Sequence, residues 1–180
     1  KEYDYIFITD LAINDDSASL IDKYFKEKVR RIDHHITNIN YKWNYSVENI
    51  DGFEGCAIYL YYNYLKENFY NEILDYNSLK EIVEGIRCQD TYTFKKYNNT
   101  LGPDLTTVFS NVDNIETYIS SIIDRIRNNK NNFNFSNNEI IIINKAKEEL
   151  DNYLNECEKR LQIIDFLGYK VGLSISTKYR

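Results

Sequence analysis

The chain has 180 residues, 43% of them hydrophobic, which is enough for one large domain with a substantial core. Its net charge of −6 argues against a protein that holds long nucleic acid on a clustered basic surface, although metal ions could still hold a short nucleotide. No run is apolar enough for a membrane span, and the three distant cysteines form no disulfide or zinc-knuckle pattern, so we expect a cytoplasmic protein.

The first third of the chain predicts a βαβ unit. Residues 5–9 form a short apolar run that predicts a buried strand ending at Asp10. Residues 15–17 are expected to cap a helix, and residues 29–32 predict a second strand that ends at Asp33. A strand, a helix and a strand within about 30 residues make a βαβ unit, so the two strands should be parallel.

The rest of the chain predicts mainly helices. The Gly102-Pro103 pair is the clearest break in the pattern, and Ser136 with Glu139 forms a capping box for a long helix. The expected elements are helices at residues 55–69 and from Ser78, helices at 104–110 and 112–127, a long helix that ends near Phe166, and a strand at 169–176.

These elements predict an α/β fold, a parallel sheet flanked by helices, followed by a helical connector and the start of a second domain. We place the first domain at residues 1–100, the helical part with the connector at 101–167, and the first strand of the second domain at 168–180. The helical region also suggests a homodimer surface, with a connector between lobes as the alternative.

Both predicted strands end in side chains that can bind a metal. The only two histidines, His34 and His35, follow Asp33 at the carboxyl end of a strand, where α/β folds place ligand-handling groups. Neutral imidazole binds metals, and a neighbouring carboxylate can orient it. Asp10 lies at the same end of the preceding strand. The alternative is a solvated turn in which these residues merely adjoin.

Asp90 is a further candidate ligand. It continues the apolar stripe of the helix predicted from Ser78, so its side chain should be buried. It also lies near the C-terminal end of that helix, where the helix dipole disfavours an anion, so a buried carboxylate there needs a cation. That cation is either a divalent metal or a nearby lysine or arginine. Oxygen ligands with one or two imidazoles suit Mn²⁺ or Mg²⁺ better than zinc. Two such ions would generate a hydroxide and clamp a phosphoryl group, which predicts a metal-assisted phosphoryl hydrolase.

Three motifs resemble those of the DHH phosphoesterases in their residues, order and spacing. They are Thr9-Asp10-Leu11, Asp33-His34-His35 and residues 85–91, which end in Asp90-Thr91. The resemblance covers about residues 3–95 and implies a two-metal site for Mn²⁺, or alternatively Mg²⁺. Asp10 would bridge the metals, and His34 and Asp90 would bind the second one. His35 would contact the scissile phosphate of the bound substrate, and Asp33 would orient the histidines, so these two are the expected catalytic residues.

The segment from Asp90 to Phe94 is similar to the oligoribonuclease branch of that family. This implies hydrolysis of short oligonucleotides or linear dinucleotides to mononucleotides. The alternatives are a cyclic-dinucleotide phosphodiesterase, a RecJ-like single-strand exonuclease, which the acidic charge disfavours, and a catalytically incomplete nucleotide-binding module. A pyrophosphatase is disfavoured by the long helical region.

Two of the family's motifs are missing from the sequence. These are the His-x-Asp-x-Asp motif on a strand before Asp10, which would hold most of the first metal, and the glycine- and histidine-rich substrate motif of the second domain. The chain also begins at Lys1 and contains no methionine. We therefore expect a fragment of a longer protein that is inactive on its own, and we expect residues 168–180 to open the substrate-binding domain.

Overall fold

The computed structural model describes residues 3–34, 41, 43–45, 49–50 and 53–174. Its packing divides the chain into two units, Lys1–Asn134 and Phe135–Arg180, each described separately below. The first unit contains β1 (Ile6–Thr9), α1 (Asp15–Tyr24), β2 (Val29–Ile32), β3 (Asn44–Tyr45), β4 (Asn49–Ile50), β5 (Phe53–Glu54), α2 (Ala57–Asn68), a 3-10 helix (Glu72–Asp75), α3 (Asn77–Asp90), α4 (Leu101–Phe109) and α5 (Ile115–Asn128). The second unit contains α6 (Asn137–Lys159), β6 (Gln162–Phe166) and β7 (Tyr169–Leu173).

The first unit is built on a small parallel sheet with strand order β1-β2-β3. The predicted βαβ unit is confirmed, because β1 pairs in parallel with β2 and α1 connects them. Thr9 is the register partner of Ile32, so the two strands end side by side. The short strand β3 lies between the predicted strand at 29–32 and the predicted helix at 55–69, where no element was predicted, and it pairs in parallel with β2.

Helices cover both faces of this sheet. On one face Val29 packs with Ala18 of α1 and with the buried Trp43. On the other face Ile32 packs with Leu60 and Tyr64 of α2. The structure is therefore of mixed α/β type, as predicted. However, β1 is not the buried strand that was predicted, since Ile6 is 44% exposed. Its apolar residues lie at the edge of the described sheet, where only β2 pairs with them.

Helices α3 and α4 approach each other through two glycines. A Cβ atom at Gly102 would lie 2.1 Å from the carbonyl oxygen of Gly85, so only glycine fits there. The predicted break at Gly102-Pro103 is wrong, because both residues lie in the first turn of α4. Proline is tolerated there, since its missing N–H is one that the helix leaves unbonded in any case.

Two helix starts test the capping predictions. The cap of α1 is Asn14, not one of residues 15–17, and its side chain accepts a hydrogen bond from the backbone N–H of Ser17 at 2.8 Å. The acidic residues that follow lie in the first turn, where the helix dipole favours them. The capping box of Ser136 and Glu139 at the start of α6 is confirmed.

The predicted continuation of α6 to Phe166 is wrong. The helix ends at Lys159, and β6 and β7 then form an antiparallel hairpin. Its turn residues Leu167 and Gly168 both have positive φ values, 51° and 84°, as two-residue hairpin turns of type I′ require. The predicted strand at 169–176 is found as Tyr169–Leu173, and residues 175–176 lie outside the described part. Among the helices that the structure describes, none is long and apolar enough to span a membrane.

Candidate metal centre

The ends of β1 and β2 bring Asp10, Asp33 and His34 together. His34 Nδ1 lies 3.7 Å from Asp10 Oδ1 and 3.8 Å from Asp33 Oδ1. One donor atom from each residue lies within 4.8 Å of the others. This proximity follows from the sheet register, because parallel strands that end at the same level present their next residues at one edge.

Asp90 reaches the same place from the last position of α3. Its Oδ2 atom lies 3.9 Å from His34 Nδ1. The carboxylate of Asp90 is 41% exposed, so it is not buried as the sequence predicted, and that of Asp10 is 56% exposed. Among the described residues no lysine or arginine is ion-paired with Asp90, which removes the support for the salt-bridge alternative.

Asp10, Asp33 and His34 form a group of donors that could hold a metal ion, and Asp90 adds a carboxylate that is placed by its distance to His34. Two ligands that share an ion at about 2.1 Å each are at most about 4.2 Å apart. The distances of 3.7 and 3.9 Å from His34 Nδ1 to Asp10 and Asp90 satisfy that limit and are too long for hydrogen bonds. Carboxylate oxygens with one imidazole suit Mn²⁺ or Mg²⁺, and a cation would also relieve the repulsion between the two carboxylates.

Asp10 is held in an unusual backbone conformation. Its φ angle is 51°, in the left-handed region that aspartate adopts more readily than most residues. Its backbone N–H donates to the carbonyl of Ile32 at 3.2 Å, which extends the pairing of β1 and β2 one residue past the strands. The conformation turns the chain at the strand end while it keeps Asp10 beside the residues that follow β2.

A fully buried arginine, Arg31, connects the two loops that carry the site. It forms an ion pair with Asp33, which is also fully buried. Its Nε atom donates a hydrogen bond to the carbonyl oxygen of Leu11 at 3.0 Å. Leu11 adjoins Asp10, and Asp33 adjoins His34, so one side chain fixes both loops. The sequence analysis missed Arg31, and the only signal was a charged residue within a short apolar strand.

The end of α3 is anchored separately. Arg87 is buried and donates hydrogen bonds of 2.7 and 2.6 Å to the two carboxylate oxygens of Glu84. This pairing raises the pKa of Arg87 and lowers that of Glu84. Both residues belong to α3, so this pair stabilises the helix itself close to Asp90. The Arg87 guanidinium also lies 5.9 Å from the ring centroid of Tyr59 in α2, which connects the two helices.

A cleft of about 480 Å³ adjoins the site. Asp10 and Asp90 line it together with apolar and aromatic side chains and the first residues of α2. Cys56, the N-cap residue of α2, is buried beside it, and burial raises the pKa of its thiol to about 11. The cleft is lined by Phe7, Thr9, Asp10, Cys56, Ala57, Ile58, Tyr61, Ile86 and Asp90. A volume of this size accommodates a small ligand.

The structure thus brings four of the five candidate residues to one place, namely Asp10, Asp33, His34 and Asp90. The fifth, His35, lies outside the described residues, and its expected contact with phosphate stays a prediction. The roles assigned to the other four stay predictions as well.

One comparison with known proteins gives a distant relative. The chain is 28% identical over 183 residues to the oligoribonuclease NrnB of Bacillus subtilis (strain 168), and the alignment covers 98% of this chain. It covers 45% of that protein, so the chain spans about half the length of the curated relative it matches. No protein-family model matches the chain, and no solved structure matches it.

Proposed function

We propose that this chain is the metal-binding part of a DHH-type phosphodiesterase that hydrolyses short oligonucleotides or linear dinucleotides to mononucleotides. The observation that carries the proposal is that Asp10 and Asp90, which follow β1 and end α3, lie 3.7 and 3.9 Å from Nδ1 of His34. The similarity to an oligoribonuclease supports the same class of reaction.

In this proposal Asp10, His34 and Asp90 hold Mn²⁺, with Mg²⁺ as the alternative. The bound ion would supply Lewis acidity and a hydroxide at neutral pH. Asp33 and Arg31 orient the loop of His34 through their buried ion pair. His35 contacts the scissile phosphate, and most ligands of the first metal would belong to the family's His-x-Asp-x-Asp motif, which this sequence lacks.

A short substrate agrees with the charge of the molecule. Long nucleic acid is held by clustered lysines and arginines, whereas this chain carries 28 acidic and 22 basic residues. The local site is acidic as well, so a phosphate approaches it only once a divalent cation is bound. A cytoplasmic location and a homodimer, both expected from the sequence, belong to the proposal.

A second candidate is a nucleotide-binding module that lacks catalysis. The observation in its favour is that, within the part of the chain that the structure describes, a single group of three donors could hold a metal ion, namely Asp10, Asp33 and His34. Hydrolysis by the two-metal route needs ligands for another. The two candidates share metal binding and differ only in turnover.

Calorimetric titration with Mn²⁺ tests both candidates. We expect the chain to bind Mn²⁺ and the His34→Ala variant to lose binding, while Asp124→Asn, a control at an exposed carboxylate paired with Arg127, leaves it unchanged. Turnover of a linear RNA dinucleotide then supports the enzyme, and binding without turnover supports the module. Absence of Mn²⁺ binding by the folded chain would overturn the metal site and both candidates.

A further inference from the structure

An exposed tyrosine follows the candidate ligand Asp90 by two residues. Tyr92 is 84% exposed, so almost none of its ring is used in packing. Its φ angle is 56°, in the left-handed region that a bulky L-residue rarely adopts. Tyr92 lies just past the end of α3, where helices commonly finish in a left-handed residue that is usually glycine.

Hydrogen bonds on both sides of Tyr92 enforce this conformation. Its own N–H donates to Gln89 at 3.2 Å, and the N–H of Thr93 donates to Cys88 at 2.9 Å. The hydroxyls of Thr91 and Thr93 lie 2.8 Å apart, and that of Thr91 also donates to the carbonyl of Arg87 at 2.8 Å. The turn is therefore fixed to the end of α3.

The ring itself is available for a ligand. Within the described part of the chain, no aromatic or cationic side chain stacks on Tyr92, whereas Tyr59 and Tyr97 both pack on Arg87. An exposed aromatic ring on a fixed turn, two residues after the candidate ligand Asp90, has the chemistry of a base-stacking platform. The end of α3 accounts for the left-handed conformation, but glycine would adopt it at lower cost, so the turn itself does not require a tyrosine ring.

We propose that Tyr92 stacks on a nucleobase of the substrate and so positions the adjoining phosphate at Asp10, His34 and Asp90. This inference rests on the proposed function and assigns the residue that holds the base. Every nucleobase has an aromatic face, so the contact selects for a base but not for its sequence. The ligand class is a short oligonucleotide, and the platform contributes to affinity rather than to the chemical step.

Three substitutions at Tyr92 distinguish the effect of the aromatic ring on binding from the effect of the backbone strain. Tyr92→Phe keeps the ring, Tyr92→Leu removes it and keeps the strain, and Tyr92→Gly removes both. The probe is a phosphorothioate-linked diadenylate, and its Kd is measured by calorimetry with Mn²⁺ present. We expect Phe to match the wild type and Leu and Gly to bind about 10-fold more weakly or worse. Tyr70→Leu, at an exposed tyrosine bonded to Asp75, should leave Kd unchanged.

Thermal unfolding of the metal-free chain supplies a readout independent of substrate. We expect Tyr92→Gly to raise Tm by about 2–4 °C, because glycine adopts positive φ freely, while Tyr92→Leu does not raise it. A diadenylate analogue that lacks its bases should bind the wild type and Tyr92→Leu equally.

Two outcomes would overturn the inference at different points. If the wild type binds diadenylate and Tyr92→Leu binds it equally well, the platform is wrong and the proposed function stands. If the folded wild type with Mn²⁺ bound does not bind diadenylate at all, the proposed substrate is wrong, and so is the proposal that Tyr92 stacks on its base.

Discussion

Replacing Arg31 with leucine should destabilise the protein strongly. Arg31 and Asp33 are both fully buried and ion-paired, and removal of one partner from such a pair costs about 3–5 kcal/mol because the other charge stays buried. The carbonyl of Leu11 also loses its donor, which adds about 1 kcal/mol. Domains are stable by only about 5–15 kcal/mol, so the variant should fold marginally.

Urea unfolding followed by tryptophan fluorescence measures this loss. Trp43 is the only tryptophan of the chain, it is buried, and its carbonyl accepts a hydrogen bond from the N–H of Arg31 at 3.0 Å. The control is Arg30→Leu on the same strand, whose guanidinium bonds to backbone carbonyls of Lys26 and Val29. We expect the control to lose about 1 kcal/mol or less.

A double variant distinguishes the effect of Arg31 on the free energy of unfolding from its effect on the position of the loops that carry Asp10 and His34. Replacing Arg31 and Asp33 together with leucine removes both buried charges and should recover most of the lost free energy of unfolding. It should not recover Mn²⁺ binding, because the Arg31 side chain then no longer fixes the loops of Asp10 and His34 to each other. A loss for Arg31→Leu no larger than that for Arg30→Leu would refute the reasoning from the buried ion pair.

Three further predictions concern the site and its support. Asp10→Ala and Asp90→Ala should abolish Mn²⁺ binding in calorimetry and leave the melting temperature of the metal-free chain nearly unchanged or raised, because these carboxylates repel one another without a cation; a strong fall in melting temperature would favour a structural role. Gly102→Ala should lower the free energy of unfolding by about 1–3 kcal/mol in urea titrations, because its Cβ would overlap the carbonyl of Gly85; an unchanged value would contradict that packing. Burial raises the pKa of Cys56 from its ordinary value near 9 to about 11, so its contribution to stability is complete below pH 9 and is lost as the pH rises towards 11. The free energy of unfolding should therefore fall more between pH 9 and 11 in the wild type than in Cys56→Ala, and parallel curves would refute the assignment.

The sequence predicted the parts of the structure that local chemistry determines. An apolar strand, a helix and another strand place Asp10 and Asp33 at one sheet edge, because parallel connections leave few other arrangements. Asp90 lies near His34, as the prediction required, but its carboxylate is partly exposed rather than buried. The helical stripe was extended to a residue at the very end of α3, where the side chain leaves the packed face.

The errors arose where two patterns coincide or where long-range contacts decide. Leu161 and Ile164 continue the spacing of α6, yet β-branched residues beside a Leu167-Gly168 turn also fit a hairpin, and the hairpin forms. Arg31 was missed because its partners, Asp33 and the carbonyl of Leu11, meet it only after folding. A charged residue in a strand does not by itself reveal which loops it connects.

The glycine contact between α3 and α4 has a mechanical consequence. Side chains between helices can change rotamer and absorb small displacements, but at Gly85 and Gly102 backbone lies directly on backbone. A shift of α4 at this point is therefore transmitted to α3 with little slack. Asp90 lies five residues after Gly85 in the same helix. A displacement of α4 should therefore also move Asp90 relative to His34 in the candidate metal centre.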